Sequence, residues 1–173
     1  QNIAEEVIEE IQVVEQSTTT STSTTVQSLM KRQFPFSCSA SSSLGDGWSC
    51  EKIYDNEPSS WQDKSLECAD ATLEFTFSKD IYFEFLTYEN LDDSKSFKRN
   101  FKPRDILITS EEEDFSIEYE LENQNTSTQW IDLNTTTSVI TIQILSAYPG
   151  EEVNGAEAFP ECAIQEITFY GRG

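Results

Sequence analysis

Five basic residues stand close together near the middle of the chain. They are Lys95, Lys98, Arg99, Lys102 and Arg104, with no acidic residue among them. A guanidinium group can hold a carboxylate, a sulfate or sugar hydroxyls through paired hydrogen bonds, and Asn100 adds an amide beside Arg99. We therefore predict a ligand contact at Arg99 and Asn100. The alternative, favoured by the excess of acid in the chain, is internal pairing of these bases with the acidic run at 111–114.

Aromatic residues stand beside turn-forming residues at two places in the first half of the chain. Trp48 follows a Gly-Asp-Gly turn, and Tyr54 opens a polar, proline-containing loop that ends at Trp61. Sugar rings stack on exposed aromatic faces, although most aromatic residues of a small domain are buried. We predict that Trp48 and Tyr54 contact a ligand and that Trp61 belongs to the core.

The residues expected of an enzyme are sparse. The sequence contains no histidine, which excludes imidazole metal ligands, His-based triads and His general bases. Glu111 with Asp114, and Glu151 with Glu152, could serve as paired glycosidase acids. They lie in predicted turns without an apolar pocket that would raise a pKa. The sequence therefore predicts a protein that is not an enzyme, and a hydrolase is the least favoured function.

The net charge is −21, from 32 acidic and 11 basic residues. Nucleic-acid binding through phosphates depends on Lys and Arg, so this balance excludes it. An anionic membrane surface would repel the chain, and no segment suggests membrane insertion. Acidity on this scale favours solubility, and we expect a monomer.

Four cysteines, Cys38, Cys50, Cys68 and Cys162, are well separated and show no C-x-x-C spacing. They predict two disulfides and an oxidising compartment, hence an extracellular or cell-surface location. Three pairings are possible; we favour Cys38–Cys50 with Cys68–Cys162. Free thiols in a cytosolic protein are the alternative.

The chain divides into three segments. Residues 1–16 carry apolar residues at helical spacing among five glutamates, which predicts a short acidic amphipathic helix or stalk. Residues 17–33 form a predicted flexible linker, since ten of the twelve residues at 17–28 are Ser or Thr. The folded domain is predicted at 34–173.

Alternation of apolar and polar residues recurs throughout that domain. It is clear at Leu73 to Phe77, Ile81 to Phe85, Phe115 to Leu121 and Ile140 to Ile144. Seven or eight short strands separated by turns predict an all-β fold in which two antiparallel sheets share one core.

Three motifs, in order, resemble the discoidin-type, galactose-binding-like jelly roll, and most closely its NADase-type glycan-binding (translocation) branch. The first is Asp55-Asn-Glu-Pro-Ser-Ser-Trp61, one residue shorter than the family's loop. The second runs from Phe97 through Arg99-Asn100 to Arg104-Asp-Ile-Leu-Ile. The third is Tyr148-Pro-Gly followed by Ala163-Ile-Gln-Glu-Ile. The resemblance implies an antiparallel jelly-roll β-sandwich and a non-catalytic module of a secreted or surface-anchored protein.

The resemblance also implies one structural Ca²⁺, with Asp55, Ser60 and Glu166 at the matching positions and loop carbonyls completing the shell. The alternative is a turn hydrogen bond for Asp55 and a salt bridge for Glu166. The first function hypothesis is binding of a glycan or cell-surface carbohydrate by loops of the sandwich. The second is a structural or protein–protein interaction domain that uses the jelly roll as a scaffold.

Overall fold

The computed structural model describes residues 29–111 and 114–173. The acidic helix predicted at 1–16 and the linker up to residue 28 lie outside the described residues. The predicted linker extends too far at its C-terminal end. Lys31–Gln33 forms a strand that pairs with the last strand of the domain, Lys31 lying opposite Gly171.

The domain is built almost entirely of antiparallel strands, and this confirms the predicted fold class. In chain order they are β1 (Lys31–Gln33), β2 (Ser37–Ala40), β3 (Trp61–Leu66), β4 (Thr72–Glu89), β5 (Lys102–Pro103), β6 (Asp105–Ser110), β7 (Ser116–Glu120), β8 (Gln129–Ile144), β9 (Ala147–Tyr148), β10 (Glu161–Ile164) and β11 (Glu166–Arg172). One helix, α1 (Ser94–Arg99), and two 3₁₀ turns, Asp46–Trp48 and Cys50–Ile53, complete the regular structure of the described part.

A long two-stranded ribbon, β4 with β8, runs through both layers of the sandwich. Its pairing register shifts between Thr76 and Ile81, where the exposed residues 78–80 interrupt the alternation. Before this shift β4 also pairs with β2, and after it β4 pairs with β11. On the other edge of the ribbon, β6 and β7 continue the first layer. This seven-stranded sheet therefore contributes to both layers, and β3 with β10 and β5 with β9 form two separate two-stranded sheets.

The sequence predicted separate short strands where the structure has these two long ones. Leu73 to Phe77 and Ile81 to Phe85 both belong to β4, and the segment from Ile140 to Ile144 is only the last part of β8. Ser78-Lys-Asp80 and the Thr-rich segment before Val139 have the composition of turns, but the strands continue through them with only a local change of register.

Aromatic rings from the two layers meet in the core. The ring of Phe169 on β11 lies 5.0 Å from that of Phe75 and 5.3 Å from that of Phe77. Trp61 is completely buried, as predicted, and its indole N–H donates to the carbonyl of Ser42. Burial of such large rings stabilises a small sandwich more than any other contact.

Two disulfides, Cys38–Cys50 and Cys68–Cys162, confirm the favoured pairing. The first joins β2 to the 3₁₀ turn that precedes the 55–60 loop. The second joins the turn before β4 to β10, across 94 residues of sequence.

The segment 149–160 packs against α1 through backbone hydrogen bonds. Glu151 N–H donates to the carbonyl of Lys98, and Phe159 N–H donates to that of Arg99. At Gly150 the two backbones approach so closely that a Cβ would overlap the carbonyl oxygen of Arg99. The glycine of the Tyr148-Pro-Gly motif is therefore required by packing. Within the described residues, no helix has the length and apolar character needed to cross a membrane.

Candidate functional site

Two of the four residues predicted to contact a ligand line one cleft. This cleft, which we call the Trp48 cleft, has a volume of about 290 Å³. Its lining residues are Leu44, Trp48, Gln62, Ser96, Asn100, Phe159 and Glu161. Aromatic and polar side chains thus meet in one concavity, which is the usual composition of a small-molecule site.

Backbone hydrogen bonds fix the turn that carries Trp48 at the edge of this cleft. Trp48 closes a 3₁₀ turn by donating its N–H to the carbonyl of Gly45, and Leu44 N–H donates to the carbonyl of Gln62 on β3. The side chain of Trp48 is 42% exposed and that of Phe159 is 37% exposed. Both rings therefore have surface available to a ligand.

Arg99 supports the cleft from behind Phe159. Its guanidinium carbon lies 3.7 Å from the centre of the Phe159 ring, and its Nε donates to the carbonyl of Glu157. A cation stacked on one ring face fixes that ring in position. The structure thus places Arg99 beside the cleft, where it orients an aromatic residue.

Asn100 is the C-terminal cap of α1 and is almost completely buried. Its amide Nδ2 donates to the carbonyl of Ser96 at 2.9 Å. Its Oδ1 accepts no hydrogen bond within the described residues. Buried polar atoms are nearly always paired, so this acceptor is an exception, and because the oxygen itself is buried it offers no surface to a ligand in this conformation.

Tyr54 does not line this cleft. Its ring packs edge-on against Phe75, with 6.3 Å between the ring centres, and burial raises the pKa of its hydroxyl. The structure therefore does not bring Tyr54 together with Trp48, and a ligand contact by Tyr54 stays a prediction.

The residues predicted to bind calcium lie near one another, but their oxygens have other partners. Asp55 accepts hydrogen bonds from Glu57 N–H at 3.0 Å and from the Ser59 hydroxyl at 2.7 Å. Glu166 is mostly buried at the start of β11, and its Oε2 accepts from Asn56 N–H. Ser60 is partly buried at the end of the same loop.

A guanidinium group occupies the space between the loop and Glu166. Arg32 of β1 donates to Glu166 Oε1 at 2.6 Å, to Asn56 Oδ1 at 2.7 Å and to the Tyr54 carbonyl at 3.3 Å. Burial raises the pKa of Glu166, and the positive charge of Arg32 works in the opposite direction. Asn56 adopts a positive φ of 60°, which asparagine tolerates better than most residues.

This donor set does not fit a calcium ion while Arg32 is in place, because calcium needs six to eight free oxygens. The residues at 29–111 and 114–173 also contain no group of three or more His, Cys, Asp or Glu arranged to hold a metal. The calcium site stays a prediction, and the geometry matches the alternative of a turn hydrogen bond and a salt bridge.

Two other basic residues of the central cluster, Lys102 and Arg104, have partners outside the run at 111–114. Lys102 is buried, and its amine donates to the carbonyl of Pro149. Arg104 pairs with Glu120 at 3.0 Å and with Asp105 at 3.7 Å. Arg104 is thus paired internally, as the alternative predicted, and its acidic partners among the described residues are Glu120 and Asp105.

A second cleft, which the sequence reasoning did not identify, has a volume of about 390 Å³. We call it the Trp130 cleft. Its lining residues are Arg32, Asn56, Glu57, Pro58, Thr87, Glu89, Asp92, Thr128, Trp130, Gln165, Glu166, Thr168 and Tyr170. A signal was present in the sequence: Trp130 alternates with the apolar Ile131 and Leu133, so it had to face away from the core.

Comparison with known proteins gives structural likeness only. No family model matches the chain, and no curated protein matches its sequence. The fold is similar to that of the family 32 carbohydrate-binding module of NanJ from Clostridium perfringens, solved with galactose, with a TM-score of 0.57 and 13% identity. That match covers 78% of this chain and 92% of the module.

Two further solved structures are similar. A family 32 module of a family 31 glycoside hydrolase from Clostridium perfringens gives a TM-score of 0.57 at 16% identity, covering 83% of this chain and 91% of that one. The F5/8 type C domain of a Bacteroides fragilis protein gives 0.53 at 12% identity, covering 79% and 91%. At these identities the likeness establishes the discoidin-like, galactose-binding-like jelly-roll fold.

Proposed function

We propose that this protein is a non-catalytic glycan-binding module that binds sugar in the Trp48 cleft. The observation that carries the proposal is that the partly exposed rings of Trp48 and Phe159 line one cleft together with the polar side chains of Gln62, Ser96 and Glu161. A sugar offers an apolar ring face for stacking and hydroxyls for hydrogen bonding, and this cleft provides a partner for each.

The similar structures support the class of ligand. Their names record modules in complex with galactose and with GalNAc, and a fucose-binding module from Streptococcus pneumoniae. These ligands belong to those proteins. For this chain they favour carbohydrate over other small molecules, because the fold and the aromatic–polar composition of the cleft agree.

A secreted or surface-anchored protein is the setting we propose for this activity. Two disulfides are typical of proteins that fold in an oxidising compartment. Within the jelly-roll superfamily, the NADase-type translocation branch remains the assignment that the three sequence motifs favour. We propose a monomer.

A glycan-array screen of the full chain, followed by titration of any sugar that binds, tests the proposal. We expect saturable binding to one class of glycan. Trp48→Ala should weaken it by about tenfold, the order of magnitude of one aromatic stacking contact. Trp48 is exposed, so the variant should keep the melting temperature of the parent, and Leu145→Ala, at an exposed position outside the cleft lining, serves as the control. Glycan affinity unaffected by Trp48→Ala would reject this cleft.

A protein-interaction domain is the second candidate, and one observation favours it. Phe34 and Phe36, between β1 and β2, are 62% and 78% exposed. Exposed apolar residues of this size mark many protein-binding surfaces. A folded, monomeric chain that binds no glycan on the array, but whose binding to a protein partner is lost on Phe36→Ser, would favour this function over the first.

A further inference from the structure

Three aromatic rings form a continuous cluster on the outer face of the sheet. Phe85 of β4 lies 4.8 Å from Tyr170 of β11, with the rings nearly parallel, and 4.9 Å from Trp130 of β8. Trp130 and Tyr170 are inclined by only 22°. The side chain of Trp130 is 60% exposed, which is unusual for the largest apolar side chain.

The pleat of the sheet determines that these rings point outward. Ile131 and Leu133, the neighbours of Trp130 in β8 that face the core, are 1% and 3% exposed. Phe85 lies directly opposite Tyr170 in the ladder, and Thr87 lies opposite both Thr168 and Trp130. The aromatic cluster and the two threonines therefore share one face, away from the core.

The Trp130 cleft opens beside this cluster. Thr87 and Thr168 are nearly buried in the sheet beneath it, and Trp130 and Tyr170 supply its aromatic wall. The loop residues Asn56 to Pro58 line another side. Its volume of about 390 Å³ falls within the range of known small-molecule sites, about 300–1,000 Å³.

The charge of the lining restricts what can enter. Glu57, Glu89 and Asp92 contribute carboxylates, and among the described residues that line the cleft the one base, Arg32, is already paired with Glu166. Carboxylates accept hydrogen bonds and repel anions. The cleft therefore suits a ligand that donates hydrogen bonds, is neutral or positively charged, and has an apolar face to lay on Trp130.

We propose that the Trp130 cleft is a second carbohydrate site, specific for neutral and amino sugars and excluding uronic acids and sialic acids. It goes beyond the proposed function because it shares no lining residue with the Trp48 cleft. Aromatic pairs on a sheet can also serve only to stabilise neighbouring strands. That role alone leaves unexplained why Trp130 remains exposed at the mouth of a concave, polar cleft.

The three indole N–H groups of the chain provide a direct test by NMR. Trp61 is buried, whereas Trp48 and Trp130 report separately on the two clefts. The labelled full chain is titrated with methyl β-galactoside, methyl glucosaminide and methyl glucuronide, and Trp48→Ala and Trp130→Ala assign the signals. We expect the first two glycosides to shift the Trp130 signal saturably. The glucuronide should bind there at least about tenfold more weakly, a difference of ~1.4 kcal/mol.

The outcomes separate this inference from the proposed function. Shifts at Trp48 without shifts at Trp130 would overturn the second site and leave the first. Equal binding of glucuronide at Trp130 would overturn the charge argument. Because the lining carries carboxylates, we expect the cationic glucosaminide to bind more tightly than the galactoside, and Glu89→Gln, which keeps the shape of the side chain, should reduce this preference. An unchanged preference would also count against the inference, and this test does not require Trp130→Ala to fold.

Discussion

Arg32 links three segments of the chain that are far apart in sequence. It stands on β1, and its guanidinium donates to the 54–56 loop and to Glu166 on β11. An arginine fork can satisfy several oxygens at once, and these bonds leave the partly buried carboxylate of Glu166 with a charged partner. One side chain therefore holds the loop against the last strand.

Replacing Arg32 should reveal this role. We expect Arg32→Met to lower the free energy of unfolding by about 1.5–3 kcal/mol, the range for hydrogen bonds to a charged group. Urea denaturation measures the loss. Lys31→Met, at the exposed neighbouring position on β1, is the matched control and should cost far less. If Arg32→Met and Lys31→Met lost equal amounts of unfolding free energy, Arg32 would not hold the loop against the last strand.

Replacing Arg32 should also change how the melting temperature of the domain responds to calcium. Because the Arg32 guanidinium already donates to Glu166 Oε1, one oxygen of the predicted calcium shell, and occupies the space beside it, we expect EDTA to leave the melting temperature of the parent chain unchanged. Arg32→Ser frees that carboxylate oxygen, and the melting temperature of the variant should rise when calcium is added. A drop in the melting temperature of the parent chain on adding EDTA would instead establish the calcium site at Asp55, Ser60 and Glu166.

Lys102 gives the domain a pH-dependent component of stability. Burial lowers the pKa of its amine from the ordinary value of 10.5, and Glu151 opposes the shift. Between the two pKa values the unfolded chain holds more protons than the folded one, so stability rises with pH across that window. Lys102→Met lacks this contribution.

The unfolding free energy of the parent should therefore increase relative to that of Lys102→Met as the pH rises towards 10.5. Parallel urea titrations at several alkaline pH values measure it. Lys98→Met, at an exposed position of α1, provides the control and should follow the parent throughout. If the difference in unfolding free energy between the parent and Lys102→Met did not vary with pH, burial would not lower the pKa of the Lys102 amine.

Among the elements, the contact of segment 149–160 with α1 depends on one glycine. An alanine Cβ at Gly150 would overlap the Arg99 carbonyl oxygen and lie 3.1 Å from the Cβ of Ala158. We expect Gly150→Ala to destabilise the domain by about 1–3 kcal/mol, the usual cost of overpacking. Gly47→Ala, where nothing lies within 4 Å of the added Cβ, is the control. Thermal melting compares the two.

Most strands could be predicted from alternation, and the errors have a common cause. At Ser78-Lys-Asp80 the polar residues look like a turn, yet β4 continues because β8 stays paired on both sides of the shift. Pairing partners far away in sequence decide such cases, and a local pattern does not contain them. The β1 strand was missed for the same reason, since only its ladder with β11 orders it.

The candidate site was predictable where residue type was sufficient. Trp48 and Asn100, each predicted separately from its residue type and neighbours, line one cleft, and their contact with a ligand stays a prediction. Phe159 and Arg32 could not be assigned, because their roles depend on contacts with Arg99 and Glu166, far from them in sequence. The outward position of Trp130 could have been predicted, because Trp130 alternates along the strand with the apolar residues Ile131 and Leu133, which are buried.

For the whole molecule, the two disulfides should differ in their contribution to stability. Cys68–Cys162 spans 94 residues and Cys38–Cys50 spans 12. Loop-closure entropy gives about 4.7 and about 2.8 kcal/mol for loops of these lengths. Replacing both cysteines of the longer loop by Ser should therefore lower the free energy of unfolding by more than replacing those of the shorter loop. Denaturation of the two double variants checks the order, and the reverse order would contradict the entropic account.

The pairing of β1 with β11 also determines how the domain would respond to tension. Lys31 and Gly171 are partners in the ladder, so a force pulling on the two ends of the domain loads these hydrogen bonds one after another, as in a zipper. We predict that β1 peels away first and withdraws Arg32 from Glu166. The rest of the domain, in which β11 stays paired with β4, would bear the load until the main unfolding event. An optical-trap recording with handles at residues 29 and 173 should show a short extension step before the main unfolding event, and a single cooperative rip would refute this order.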